Sequence, residues 1–144
     1  MVNSSLIKIE DIAFVRFRAP DLAEMDAFLT DFGFPERQRV DGRLYARGAG
    51  ASPVLHITEP GEPGFAGIGL RASTVEDLHV LARAEGVTVE PLDAPGGGRV
   101  VALADPDGHR VEVVAGQTPA AELTLPSRQP WNGAAGRQRL RSEE

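Results

Sequence analysis

Arginine is the residue type whose placement in this chain most suggests chemistry. In AFVRFRA, Arg16 and Arg18 alternate with other residues, so as strand positions both share a face with Phe14. By the same parity Arg71 falls on the side of Gly67 and Gly69, and Arg110 on the side of Glu112. Guanidinium groups gathered on one surface suit a carboxylate or phenolate, gripped by charge-assisted hydrogen bonds, with Phe14 as an aromatic wall. The competing outcome is neutralisation: Glu10, Glu59 and Glu112 are close enough in the pattern to hold these arginines as ion pairs.

Other chemistries are excluded quickly. The chain has no cysteine, hence no disulfide, no thiolate nucleophile and no cysteine-bound metal. GEPGFAGIG is glycine-rich but runs into a strand, not a helix N-terminus, so it cannot cradle a pyrophosphate; PGGGR is a turn before a strand. His79 belongs on the polar side of a helix, and His109 at a strand rim or towards the helix layer. Asp105 and Asp107 sit in DPDG, where both are turn formers. No local signature suggests a Ser-His-Asp arrangement.

The elements that must carry these residues come in two copies. Shifting the sequence by 53 residues lays 13–34 over 66–87: Val15 meets Ile68, Phe17 meets Leu70, Phe28 meets Leu81 and Gly33 meets Gly86. Each copy reads as a strand followed by a helix. Asp21 caps the first helix, with Glu24 placed for a capping box, and Gly33 ends it. Ser73 or Thr74 caps the second, and Gly86 ends it. Short strands follow each helix, at 36–40, 43–47 and 53–58 in the first half and 88–92, 99–104 and 109–114 in the second. The expected fold is α+β: two βαβββ modules, 8–60 and 65–116, whose sheets join into a curved half-barrel with helices outside. A linker-like tail, 117–144, follows the domain.

With 144 residues, 42% of them hydrophobic and 25% charged, the chain fits one globular domain. A net charge of −6 argues against nucleic acid as a partner, and no apolar run is long enough for a membrane span. The N-terminus lacks the pattern of a signal peptide, so a cytoplasmic location is expected. The tail differs from the rest. From Arg128 to Arg141 it holds four arginines and no acid, together with the chain's single tryptophan, Trp131. Residues 126–131 are expected to dock on the folded body or on a second subunit.

The segments FVRFRAPDLAEMDAFLTDFGF and LADPDGHRVEVV resemble the vicinal-oxygen-chelate superfamily, which unites glyoxalases, bleomycin-resistance proteins and extradiol dioxygenases. More narrowly LYARG, GEPGFAGIGLRA, DAPGGGR and PSRQPWNGAAGRQRL resemble the N-terminal domain of two-domain extradiol ring-cleaving dioxygenases. The resemblance implies a divalent iron or manganese site, with one ligand on the first and last strand of each half. In this chain those positions fall at Phe14, Gly67, His56 and Glu112. Phe14 and Gly67 offer no donor, which leaves His56 and Glu112 as vestigial metal candidates and no cofactor expected. Phe14, Arg16, Arg18, His56, Arg71, Arg110 and Glu112 form the expected ligand-binding set.

Three functions follow from the resemblance. One is a non-catalytic dioxygenase-like half, or a domain binding a small aromatic or carboxylate ligand. Another is an active metal-dependent ring-cleaving dioxygenase or glyoxalase-type lyase. The third is a drug-sequestering protein of the bleomycin-resistance type. The expected partner is a second copy of the chain or a metal-bearing domain.

Overall fold

The computed structural model describes residues 5–125 and two short strands beyond them. Strand β1 (Ile9–Ala19) leads into helix α1 (Leu22–Phe32), then β2 (Glu36–Val40), β3 (Arg43–Arg47) and β4 (His56–Pro60). The second half repeats that order with β5 (Gly64–Ala72), α2 (Val75–Glu85), β6 (Glu90–Pro91), β7 (Arg99–Ala104) and β8 (Arg110–Ala115). Strands β9 (Asn132–Gly133) and β10 (Gly136–Arg137) pair with each other in a separate two-stranded sheet.

Eight strands form one curved mixed sheet in the order β2-β3-β4-β1-β5-β8-β7-β6, without closing into a barrel. Within each half the first and last strands run parallel, β1 with β4 and β5 with β8. The halves join where β1 and β5 pair antiparallel. Val15 and Ile68, which the 53-residue shift superimposes, are partners across this joint, so the approximate twofold axis passes beside them. Both helices lie on the outer face, α1 over β3 and β4, α2 over β5, β7 and β8. No helix among the described residues is long and apolar enough to cross a membrane.

Local signals explain most boundaries. The Asp21 side chain accepts from the Ala23 and Glu24 amides, and Gly33 leaves α1 in the left-handed region at φ 107°. The reciprocal capping box forms on α2 instead, where Thr74 and Asp77 exchange bonds at 3.1 Å each. Three strands are displaced from the sequence expectation: β4 starts at His56 rather than 53, β6 shrinks to Glu90–Pro91, and β8 starts at Arg110. Residues 53–55 approach the sheet without being part of a regular strand, bonding through Leu55 to Val15 and Ala46.

The core has two sides. Outside, Leu29, Leu44 and Ala46 pack under α1, and Leu78, Leu81, Ala82, Val101 and Val113 under α2. Inside the curve, Phe14, Tyr45, Ile57, Val100 and Val114 fill one end of the concave face. The other end stays polar.

Candidate functional site

At the polar end of the concave face, one buried arginine is held between two carboxylates from opposite halves. Arg16, 3% exposed, reaches Glu112, 1% exposed, through Nε at 2.5 Å and Nη2 at 3.1 Å. Its Nη1 donates to Glu59 at 3.0 Å. The ring of Phe14 lies 5.1 Å from the guanidinium carbon, adding a cation–π contact. Arg110 approaches from the side, 3.3 Å from Glu112 and 3.8 Å from Glu59. Arg43 completes the rim, 4.0 Å from Glu59 and 2.9 Å from Asp93.

Sheet register explains why these residues meet. Pairing places Phe14 opposite Gly69 and Arg16 opposite Gly67, while Gly69 pairs with Glu112 and Gly67 with Arg110. All therefore share one face. Gly67 and Gly69 are the second-half counterparts of Phe14 and Arg16 under the 53-residue shift. Glycine is required there for space: a Cβ on Gly69 would lie 2.6 Å from the Phe14 ring. One on Gly67 would lie 2.7 Å from the Arg110 carbonyl oxygen. The Phe14 ring of the first half thus occupies room that Gly69 vacates, while Gly67 lets the β8 backbone at Arg110 come close.

The cluster borders an open cleft of about 570 Å³, lined on its apolar side by Val87, Leu92 and Val100. Arg43 and Arg110 present partly exposed guanidinium groups to this space. Asp93, with a side chain 83% exposed, holds Arg43 loosely.

Of the residues expected from sequence, Phe14, Arg16, Arg110 and Glu112 come together on this face. The others do not. Arg18 is exposed, its side chain packed beside the β4–β5 turn at Gly61. Arg71 sits towards the opposite end of the sheet with Glu10 at 3.8 Å and Asp11 at 3.4 Å. His56 requires the largest correction. It pairs with Val15, not with Arg16 or Phe14, so it points outward beneath α1, away from Glu112. There it stacks on Phe17 at a centroid distance of 5.2 Å and meets Phe34 edge-on at 6.0 Å. A one-residue difference in register sends a strand side chain to the other face. Burial lowers the His56 pKa, favouring the neutral ring.

Arg43 and Asp93 were missed as parts of the site, and Glu59 was expected only as an ion-pair partner of the arginines. Glu59 had a usable signal, because it lies 53 positions before Glu112, the same shift that aligns the two halves. Arg43 and Asp93 carried none: they meet only because the edges of the two halves approach each other. Asp105, Asp107 and His109 also lie close together, but on the exposed turn between β7 and β8. Asp105 there accepts the amide of His109, which lowers its pKa most, and the amide of Asp107 as well. His109 rests against Phe65 at 5.7 Å, and His79 is exposed on α2.

The sequence model of the "Glyoxalase/Bleomycin resistance protein/Dioxygenase superfamily" matches residues 11–113. The chain belongs to this superfamily. Among solved structures, it is similar to the Mn(II)-bound glyoxalase from Novosphingobium aromaticivorans, with 25% identity and a TM-score of 0.71. That match covers 83% of this chain and 43% of the glyoxalase. It is also similar to homoprotocatechuate 2,3-dioxygenase from Brevibacterium fuscum, seen in a variant of that enzyme, with 19% identity and a TM-score of 0.69. Here the match covers 81% of this chain and 35% of the dioxygenase. The chain therefore spans less than half the length of either. No curated protein matches it.

The residues at the positions assigned to a superfamily metal do not fit one. Phe14 and Gly67 carry no donor atom, and His56 faces the helix layer. Both Glu112 oxygens are taken by arginine, with Arg16 lying between the two carboxylates. A guanidinium already supplies the positive charge that a metal would bring to Glu112.

Proposed function

We propose that this protein is a non-catalytic superfamily domain that holds a small aromatic carboxylate or phenolate in its concave cleft. The observation that carries this reading is the Arg16 guanidinium lodged between Glu59 and Glu112. It uses up the carboxylates of the site without metal and leaves Arg43 and Arg110 as the groups facing solvent. An incoming carboxylate would displace the loosely held Asp93 from Arg43 and take a second contact from Arg110. The apolar side of the cleft gives an aromatic ring somewhere to rest.

The test has two arms. Elemental analysis after mild purification should find no stoichiometric iron, manganese, zinc or nickel, and added iron(II) should give no catechol cleavage. Thermal-shift titration with catechol carboxylates should stabilise the wild type and fail to stabilise Arg43→Gln. One bound transition metal per chain, or stabilisation equal in both proteins, would overturn the proposal.

Coverage of less than half of each relative favours a second reading: the domain acts beside another domain of the same superfamily. Co-purification with a metal-bearing partner, and ring cleavage by the pair alone, would support it.

A further inference from the structure

On the outer face, away from the concave cleft, an apolar groove of about 400 Å³ opens between α1 and β1. Aromatic rings follow one another along it. Phe28 stacks on Phe32 at 6.0 Å, Phe32 on Phe34 at 5.8 Å, and Phe34 meets His56, which lies on Phe17. Phe32 is 72% exposed and Phe28 57% exposed, an unusual outlay of aromatic surface on one helix. At the base of the groove His56 is 8% exposed. Its Nδ1 lies 3.4 Å from the Thr58 hydroxyl, and its Nε2 has no hydrogen-bonding partner among the described residues.

The course of the chain brings a candidate occupant to this place. After β8, Ala120 donates to Ala51 at 2.9 Å and Leu123 to Ala49 at 2.8 Å, so the chain runs back along the β3–β4 loop towards Arg47. Arg47 donates to the Ala121 carbonyl and lies 3.5 Å from Glu36, which pairs with it in the sheet. Phe34, at the end of the groove, is two residues before Glu36. An extended chain covers roughly 3.3 Å per residue, so the six steps from Leu125 to Trp131 reach up to about 20 Å.

Charge favours the same pairing. Residues 19–36 hold five acids and no lysine or arginine, whereas 126–142 hold four arginines and no acid. An indole offers a large flat ring and one N–H donor. In the tautomer whose Nδ1–H donates to Thr58, the Nε2 of His56 is the acceptor that such a donor needs.

We propose that residues 126–131 fold back across this groove and seat Trp131 among Phe32, Phe34 and His56. The inference is independent of the ligand assigned to the concave cleft. Trp131 is the chain's only tryptophan, so fluorescence of the full-length protein reads it directly. Wild-type emission should be blue-shifted and protected from iodide. Phe32→Ser should shift it to the red and raise the quenching constant several-fold, with the circular dichroism spectrum unchanged because Phe32 is largely exposed. Phe28→Ser serves as a second groove variant, and Val40→Ser, exposed on the edge strand β2 and outside the groove, should leave the emission as in wild type. An exposed tryptophan in wild type would overturn the proposal, as would protection that survives both groove variants. Protection lost on dilution would assign the groove to a second copy of the chain instead.

Discussion

Replacing Arg16 with methionine tests the central cluster most directly. The change keeps an unbranched apolar stem, shorter than arginine by the guanidinium, and removes three charge-assisted bonds, two to Glu112 and one to Glu59. Glu112 would then be a buried carboxylate with Arg110 as its remaining cationic partner, at 3.3 Å. Removing one partner of a buried pair costs about 3–5 kcal/mol, because the other charge stays desolvated. Arg110 offsets part of this, and Glu59 can turn to solvent, so the expected loss is about 3 kcal/mol. For a domain of this size, that lowers the melting temperature by on the order of 10 °C. Adding Glu112→Leu removes the stranded charge, so the double variant should be more stable than Arg16→Met alone. Urea denaturation of the wild type, both singles and the double supplies the coupling energy. A single variant within about 0.5 kcal/mol of wild type would refute the reasoning. So would a double variant no more stable than Arg16→Met.

Further tests address other parts of the fold. Burial holds the His56 pKa below its unfolded value, so the unfolded chain binds more protons and stability falls as pH drops through about 6.5. His56→Phe should flatten that acid limb in urea titrations at several pH values; an unchanged pH dependence would show that His56 does not contribute. Gly69→Ala, whose Cβ would lie 2.6 Å from the Phe14 ring, should cost about 1–3 kcal/mol, and a stability equal to wild type would contradict the packing described. Gly67→His should fail to create a metal site, since its Cβ would lie 2.7 Å from the Arg110 carbonyl oxygen; calorimetric binding of manganese by that variant would prove otherwise. Exposed sheet edges favour a twofold dimer, and sedimentation as a 15.4 kDa species at all concentrations would exclude it.

Much of the architecture was legible in the sequence because it depends on local chemistry. Asp21, Gly33, Thr74 and Gly86 mark helix ends through hydrogen bonds and backbone conformations within a few residues. The 53-residue shift identified the two halves, and it also held the relation between Glu59 and Glu112. The absence of donor side chains at Phe14 and Gly67 required no structure at all. The docking of residues 126–131 expected from sequence lies outside the described residues, and only the groove that would receive them is visible.

Tertiary structure decided which residues share a face. Alternation along a strand divides side chains into two sets, but only pairing with a neighbour says which set faces inward. His56 pairs with Val15 and so faces α1, whereas Glu59, three residues on, faces the cleft and Arg16. Arg16, Glu59 and Glu112 lie on three strands and in both halves, and no local pattern links them. Their contact depends on β1 lying beside both β4 and β5, and on the glycines of β5 leaving room for Phe14 and for the β8 backbone at Arg110. Sequence determined which groups were available to this site; long-range strand pairing determined that a guanidinium would stand between its carboxylates.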